Sequence, residues 1–300
     1  MVNHAQDNPA APRDRALVAA APCSFGVLER GDGVGSAHAL LEVVAGGGYA
    51  GLDLGPAGFL GCGSDLAHNL GRVGLVLAGG WAQLDDTDPD QTGLDAVLDA
   101  FDAAGNGGDR TPSRPTLAAD EPADAVAGRP PQLDAAGWTR LVERVTRAAE
   151  TCRTRGYEPV FHPHVGTWVS TPDDTDRLLE AVDVDLCLDT GHLVLGGGDP
   201  LAALRAWRER ITHVHLKDVG VDAARALAER GAPMREVWAS GVFRELGGGD
   251  LDLDAVLAGL DGFDGWIVVE QDRLVTDRHG WATSADAQRR NRAWLRERGW

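Results

Sequence analysis

The chain has 300 residues, of which 43% are hydrophobic, enough for a sizeable core. Its 28 Lys and Arg residues against 46 Asp and Glu residues give a net charge of −18, and such a field repels phosphate backbones and anionic lipid. No apolar run approaches the roughly 18–20 residues that a membrane helix needs. We therefore expect neither nucleic acid nor a membrane as a partner.

The chain is expected to form one catalytic domain over residues 16–300, after a disordered leader at residues 1–15. A basic patch before the apolar run 16–23 has a superficial likeness to a secretion signal, but the run is short and Asp14 interrupts the patch. The four cysteines are scattered, with no C-x-x-C pair, which is typical of reduced thiols. These features predict a cytoplasmic protein.

Apolar, β-branched runs alternate with helical patterns along the chain, which is typical of βα units and a parallel sheet. Eight strands are predicted, at Leu17–Ala21, Gly51–Leu54, Val73–Ala78, Thr116–Ala119, Pro159–His162, Leu186–Asp189, His213–Lys217 and Ile267–Glu270. Eight helices are predicted, at Ser36–Ala45, Asp65–Leu70, Leu94–Ala104, Leu133–Arg155, Thr175–Val182, Pro200–Arg210, Leu253–Leu260 and Ala285–Arg298. The expected fold class is α/β, a (β/α)₈ TIM barrel in a single domain.

The segment Val219–Asp250 is a long connection between the seventh and eighth predicted strands, with a further helix indicated at Asp222–Arg230. Long connections at the carboxyl end of barrel strands commonly cover the active site. This β7–β8 connection is therefore the predicted lid.

Residues of the types that commonly bind metals lie at or near the ends of four successive predicted strands. His162 ends the fifth strand, Asp189 the sixth, His215 lies near the end of the seventh, and Glu270 ends the eighth. Because active sites of TIM barrels lie at the carboxyl ends of the strands, we expect these side chains to converge. Two carboxylates and two imidazoles suit one divalent ion, and His164 is the alternative to His162 as the fifth-strand ligand.

Further polar and aromatic residues are expected near the same end of the barrel. Alternate residues of a strand share a face, so His213, His215 and Lys217 should form a ladder toward the mouth, although His213 equally suits a buried position low in the barrel. Trp81 and Trp168 follow strand ends. Both are candidates for stacking on a sugar, with packing in the core or the lid as the alternative.

Several of these segments resemble the xylose isomerase-like superfamily of sugar phosphate isomerases and epimerases. The likeness to its metal-binding strands rests on Leu188-Asp-Thr-Gly-His192, on His213-Val-His-Leu-Lys-Asp218 and on Glu270. Within the superfamily the likeness is strongest to the inosose dehydratases. It extends through Pro22–Val27, Tyr49–Leu60, His162–Thr167, Leu246–Asp252 and Gly265–Asp272.

The resemblance implies that Asp189, His215 and Glu270 hold one divalent metal ion. Mn²⁺ is the first expectation, with Co²⁺, Mg²⁺ and Zn²⁺ as alternatives. The fifth-strand ligand of the epimerases is a glutamate, and His162 stands at that position here.

The resemblance also implies roles for residues that do not bind the metal. His192 and Lys217 correspond to positions that contact substrate hydroxyls or assist proton transfer. Asp53 stands where the dehydratases more often carry a glutamate, and it is a predicted substrate-binding residue together with Trp81, Trp168 and Lys217.

The expected function is a metal-dependent carbon–oxygen lyase that dehydrates a cyclic polyol ketone, an inosose, through a metal-stabilised enediolate. Inversion beside a carbonyl needs an acid or base on each face of the sugar, and a histidine at position 162 removes one of the two carboxylates that the epimerases use. Elimination needs one base and one acid. Glu270 or His192 is expected to take the proton, and His192 or His164 to protonate the departing hydroxyl.

Four other functions remain open from the sequence. A keto-sugar isomerase or epimerase, acting on the sugar or its phosphate, is the main alternative, and a related eliminase of an oxidised glycoside also proceeds through an enolate. A DNA-repair nuclease of the same superfamily and a sugar-binding barrel without catalysis are the others. The expected partner is a small polyol or keto-sugar, and homo-oligomers are common in this group.

Overall fold

The computed structural model describes residues 16–28, 34–88, 90–105 and 111–300. The leader predicted at residues 1–15 lies outside the described residues and stays a prediction. None of the described helices combines the length and the hydropathy that crossing a membrane requires.

Eleven strands are present in the described residues. They are β1 Leu17–Ala20, β2 Gly51–Leu52, β3 Val76–Leu77, β4 Gly79–Leu84, β5 Arg114–Ala119, β6 Val160–Phe161, β7 Asp185–Asp189, β8 Ile211–Leu216, β9 Asp218–Val219, β10 Phe243–Arg244 and β11 Trp266–Val269. Nine of them form one sheet in the order β3-β2-β1-β11-β8-β7-β6-β5-β4, and every pair in it is parallel.

The two edges of this sheet belong to one rung of a barrel. Only Ala78 separates β3 from β4, so the order of strands returns to its starting point after eight rungs. Helices lie between successive rungs, as expected of a chain of βα units. The predicted α/β TIM barrel is confirmed.

Eleven α-helices accompany the strands in the described residues. They are α1 Ala37–Gly47, α2 Gly63–Val73, α3 Thr92–Ala104, α4 Ala135–Thr154, α5 Pro172–Ala181, α6 Thr190–Leu195, α7 Pro200–Trp207, α8 Val221–Glu229, α9 Met234–Ala239, α10 Leu253–Gly259 and α11 Arg278–Glu297. Each predicted helix corresponds to one of these, and the structure adds the short helices α6 and α9.

The start of the third predicted strand, at Val73, is wrong. Val73 is the last residue of α2, and the strand begins at Val76. The helix ends where Gly74 adopts a left-handed conformation, with φ of 70°. Val73 packs against the main core from the helix, so its apolar character reflects the helix face and not a strand.

The interior of the barrel is apolar at one end and polar at the other. Along β11, Trp266, Val268 and the following Glu270 alternate on one face, and Trp266 and Val268 pack with small residues such as Ala19 and Ala21. Trp266 pairs in register with His213, and Val268 with His215. Bulky apolar groups therefore fill the amino-terminal end, and ionisable groups stand at the carboxyl end.

The connection between β8 and β11 is a folded layer that shares a small core with Ala127 and Val165 from other loops. Within it β9 and β10 pair antiparallel, Val219 opposite Phe243, and α8 and α9 lie between them in the chain. The core holds Val219, Leu227, Met234, Val237, Val242 and Phe243. That this layer acts as a lid stays a prediction.

Candidate functional site

Four side chains predicted to bind a metal meet at the carboxyl end of the barrel. Asp189 Oδ2 lies 3.3 Å from His162 Nε2 and 3.6 Å from His215 Nδ1. Glu270 Oε2 lies 3.1 Å from His215 Nδ1. Each of the four residues is at most 6% exposed. Four adjacent rungs of the barrel therefore bring two carboxylates and two imidazoles into one cluster, in which Asp189, His215 and Glu270 form the compact group and His162 lies beside Asp189.

The ligand atoms of Asp189, His215 and Glu270 lie within 4.8 Å of one another, which suits one divalent ion, and His162 approaches this group from the side of Asp189. Ligand atoms held roughly 2.1 Å from one ion lie about 3.0–3.4 Å apart in octahedral or tetrahedral geometry, and the three distances above run from 3.1 to 3.6 Å. His215 Nδ1 is buried and forms no hydrogen bond. Carboxylate oxygens with imidazole nitrogens suit Mn²⁺, Co²⁺ or Zn²⁺.

Burial and charge favour the protonation state of a metal ligand at His162, Asp189 and Glu270. Burial lowers the pKa of His162 to about 4, so its ring is neutral at pH 7. Burial by itself raises the pKa of Asp189 and of Glu270. The charge of Lys217 brings the pKa of Asp189 well below its usual value, and His215 and Lys217 do the same for Glu270. Metal ions bind the neutral imidazole and the ionised carboxylate. At His215 burial lowers the pKa but Cys187 and Glu270 raise it well above the usual value, so this ring must lose a proton before it binds an ion.

Lys217, the only lysine of the chain, lies within the same cluster. Its Nζ donates to Asp189 Oδ2 at 2.5 Å and to Glu270 Oε2, and it lies 3.3 Å from Asp272 Oδ2. Burial by itself lowers the pKa of Lys217, but these three carboxylates raise it well above the usual value. The ammonium is therefore charged and shares two carboxylates with the candidate metal position.

Negative charge exceeds positive charge in this buried cluster. Asp53, Asp189, Glu270 and Asp272 are between 3% and 7% exposed. Lys217 faces Asp189, Glu270 and Asp272, and His215 faces Asp53, Asp189 and Glu270. Buried charge is costly unless it is compensated. When His215 gives up its proton to bind an ion, Lys217 alone among the described residues of the cluster opposes these carboxylates, and the divalent cation supplies the remaining compensation.

Two further histidines lie beside the candidate metal position. The rings of His164 and His192 have centroids 3.7 Å apart. His192 Nε2 lies 3.2 Å from Asp272 Oδ2, and His164 Nδ1 lies 2.9 Å from the carbonyl oxygen of Val165. Burial lowers the pKa of His164 well below its usual value, so this ring is neutral. Because the Val165 carbonyl accepts from Nδ1, the Nε2 atom of His164 carries the free lone pair.

The short helix α6 links the metal position to these histidines. Its N-cap is Asp189, whose Oδ1 accepts a hydrogen bond from the backbone N–H of His192 at 2.8 Å. The other oxygen, Oδ2, faces His162 and Lys217. One aspartate therefore both starts the helix that carries His192 and faces the candidate ion.

A cavity of about 700 Å³ opens above the cluster. His162, His215, Lys217, Glu270 and Asp272 line its floor. Apolar side chains line much of its wall, and these are Val27, Leu28, Pro56, Ala57, Val97, Met234, Trp238 and Leu274.

The two predicted stacking tryptophans differ in position. Trp81 lies within β4, lines the cavity, and has its ring 5.3 Å from that of His162 and 5.1 Å from that of His164. Trp168 is not among the described residues that line the cavity, and it packs against the main core. Its predicted contact with substrate stays a prediction without a structural counterpart.

The structure adds site residues that were not predicted. Asp272 follows Glu270 by two positions, and the rule that alternate residues share a face would have found it. Cys23 Sγ lies 3.5 Å from Glu270 Oε1, just after the end of β1. Trp238 is carried on α9, and no pattern in the sequence indicates that this helix borders the cavity.

The chain is similar in sequence to proteins of a known family. A family model described as a xylose isomerase-like TIM barrel matches residues 65–298. The inosose dehydratase of Geobacillus thermodenitrificans (strain NG80-2) is 37% identical over 155 residues, which are 49% of this chain and 52% of that protein. The match thus spans about half the length of that relative. The rhizopine catabolism protein MocC of Rhizobium meliloti is 32% identical over 244 residues, 77% of this chain and 73% of that protein.

Solved structures share the fold at low sequence identity. The IolI protein with a bound zinc atom superposes with a TM-score of 0.67 at 15% identity, covering 94% of this chain and 97% of IolI. The probable 3-DHS dehydratase AsbF from Bacillus anthracis gives 0.66 at 15% identity, covering 93% and 98%.

Proposed function

The chain belongs to the xylose isomerase-like TIM-barrel family, and we propose that it is a metal-dependent lyase that dehydrates a cyclic polyol ketone of the inosose type. The observation that carries the proposal is the cluster of His162, Asp189, His215 and Glu270 at the carboxyl end of the barrel, where His162, His215 and Glu270 line the floor of the cavity. The similarity to inosose dehydratases supports the substrate class.

A divalent ion at this position supplies a Lewis acid, which polarises a carbonyl oxygen and stabilises the charge that develops when the α-proton leaves. Lys217 adds a fixed positive charge beside it and donates hydrogen bonds to oxygen atoms of the substrate. Because its carboxylate partners keep it protonated, Lys217 does not act as the base.

His192 is the group that we assign to removal of the α-proton. Asp272 holds its Nε2 at 3.2 Å, which orients the ring and stabilises it once it is protonated. The departing hydroxide then takes a proton from His192 itself or through His164, whose ring lies against it. Glu270 is the weaker candidate for the base, because His215 and Lys217 keep its pKa low.

Dehydration is favoured over epimerisation by the residue at position 162. Inversion requires an acid or base on both faces of the substrate, and the neutral, buried imidazole of His162 is 3.3 Å from Asp189 in the candidate metal set. The proton-transfer groups His164 and His192 lie side by side. One-sided proton transfer of this kind suits elimination.

The proposal is tested by incubating the metal-loaded protein with 2-keto-myo-inositol and following the ultraviolet absorbance of the diketone product. We expect absorbance to grow with the loaded protein and not after treatment with a chelator. Uptake of solvent deuterium without loss of water would establish the isomerase alternative instead. No change in either readout at any tested metal would overturn the proposed substrate class.

The cytoplasmic location, the homo-oligomeric state and the lid role of the connection between β8 and β11 belong to this proposal as expectations. Met234 and Trp238 of α9 line the cavity, which supports the last of these.

A further inference from the structure

We propose that Asp53 is a positioning residue, which fixes the ring of the metal ligand His215 for the ion. This role replaces that of substrate ligand, which the sequence predicts for Asp53. The inference rests on the metal site of the proposed function. It concerns binding of the ion and needs no substrate for its test.

The two ring nitrogens of His215 face different carboxylates. Nδ1 lies 3.1 Å from Glu270 and 3.6 Å from Asp189, on the side of the candidate ion. Nε2 lies 3.4 Å from Asp53 Oδ2. A carboxylate at one nitrogen of a histidine keeps the proton there, and the other nitrogen is left bare to bind a metal.

Asp53 Oδ2 lies near His215 Nε2 without forming a hydrogen bond, and Nε2, like Nδ1, is a buried atom that has no hydrogen-bond partner among the described residues. Such contacts tighten when a bound group fixes the ring. Asp53 borders the cavity with its side chain 10% exposed and also faces His215, so ion affinity and KM together distinguish a contact with the ring from a contact with substrate. Its other neighbour in the barrel is His213, and the ligand atoms of Asp53, His213 and His215 lie within 4.8 Å of one another.

The barrel leaves a specific space for this carboxylate. Asp53 comes directly after β2, and its backbone N–H donates to the carbonyl of Ala20 at 2.9 Å. A Cβ atom at Gly79 on the neighbouring rung would lie 2.8 Å from Asp53 Oδ1 and 3.1 Å from Thr116 Oγ1. The absence of a side chain at position 79 therefore allows Asp53 to occupy its place beneath His215.

The test measures the affinity of the metal-free protein for Co²⁺, by competition with a chromophoric chelator and from the visible spectrum of the bound ion. Asp53→Asn keeps the size of the side chain and removes its charge. We expect it to weaken Co²⁺ binding 10–100-fold and to alter the spectrum. Asp53→Glu, which restores the carboxylate, should recover part of the affinity. Glu121→Gln removes a carboxylate from another wall of the cavity and should leave the affinity unchanged.

Gly79→Ala supplies an independent variant. It keeps Asp53 but crowds its Oδ1 atom, so the carboxylate cannot keep its present position and Co²⁺ binding should weaken in the same direction. Gly79 does not have a positive φ, and alanine is therefore compatible with the backbone there.

The outcomes separate this inference from the proposed function. If the wild-type chain binds no Co²⁺, the metal site fails and both proposals fall. If the wild-type chain binds one ion and Asp53→Asn binds it equally well while KM for the ketone rises, Asp53 is a substrate ligand and this inference alone is overturned. Weaker Co²⁺ binding by Asp53→Asn with recovery in Asp53→Glu supports it.

Discussion

The ammonium of Lys217 and the proposed divalent ion share the carboxylates of Asp189 and Glu270. Two positive charges that share the same carboxylates in a buried site repel each other strongly. Lys217 therefore makes the site less attractive to a divalent ion, while it holds the carboxylates together when no ion is bound. Its presence sets a balance between stability of the metal-free protein and affinity for the ion.

Lys217→Met should consequently lower the stability of the metal-free protein and raise its affinity for the ion. In the presence of a chelator, the loss of a buried charge partner should lower the free energy of unfolding by about 3–5 kcal/mol. The affinity for Mn²⁺ or Co²⁺ should rise, while kcat falls because the hydrogen-bond donor to the substrate is gone. Urea unfolding, ion titration and steady-state kinetics measure the three quantities.

Arg235→Met is the matched control, since Arg235 is a cation that lines the cavity on α9 and has no carboxylate partner among the described ion pairs of the floor. It should leave ion affinity nearly unchanged. Weaker ion binding in Lys217→Met would contradict the electrostatic account.

At the junction of β7 and α6, Asp189 has two roles, since it caps the helix and faces the candidate ion. Asn caps a helix as well as Asp does, because its side-chain oxygen accepts the same backbone N–H. Asp189→Asn should therefore keep the stability of α6 and lose the ion, whereas Asp189→Ala should lose the ion and a further ~1 kcal/mol of stability. Bound metal per chain and urea unfolding in chelator distinguish the two variants. Equal stability of both variants would show that the hydrogen bond to His192 does not hold the helix.

The helix α9 carries the proposed lid contact to the substrate. The ring of Trp238 stacks on Phe243 at 5.9 Å and lies 5.7 Å from the rings of His164 and His192. Trp238→Ala should raise KM about tenfold, the loss of one well-packed aromatic contact, and leave Co²⁺ affinity unchanged. Arg235→Ala, on the same helix, controls for a general loosening of α9. A fall in Co²⁺ affinity in Trp238→Ala would mean that the helix supports the metal position and not the substrate.

The sequence predicts a residue's position well where the local pattern of apolar residues determines it. It predicts the position less well where packing across the closed barrel determines it. Asp189 and Glu270 could be placed because each ends an apolar run, and the ends of barrel strands meet. The position of Trp238 could not, since it depends on how the layer formed by residues 219–250 packs. The partner of Asp53 was also missed, because closure of the barrel brings β2 opposite His215 and no local pattern records that contact.

At the scale of the whole molecule, the charge of the buried histidines links stability to pH. Burial lowers the pKa of His162 to about 4 and lowers the pKa of His164 and His213 well below the usual value. Unfolded histidine binds its proton near pH 6.5. Between pH 6.5 and 5 the unfolded chain therefore binds protons that the folded, metal-free protein does not.

His215 works in the opposite direction. Burial by itself lowers its pKa, but neighbouring Cys187 and carboxylates that include Glu270 raise it well above the usual value. Its contribution is present below pH 6.5 and is lost as the pH rises. Below pH 6.5 the contribution of His215 is already present, so the three neutral histidines give a net loss of stability as the pH falls from 6.5 to 5.

His162→Gln removes one of the three groups and should flatten this dependence. Each histidine that the unfolded chain protonates and the folded protein does not contributes about 1.4 kcal/mol per pH unit. Urea unfolding in chelator at pH 7, 6 and 5 should therefore show a smaller loss in His162→Gln than in the wild-type chain. His68→Gln, at an exposed position on α2, should keep the wild-type dependence.

A metal ion at the candidate site binds the neutral ring of His162. Saturating Co²⁺ should therefore raise the stability of the wild-type chain at each pH, and least at pH 5, where protons compete for His215. An unchanged slope in His162→Gln would mean that this ring is already protonated in the folded protein, and His162 would then not be available as a metal ligand in this pH range.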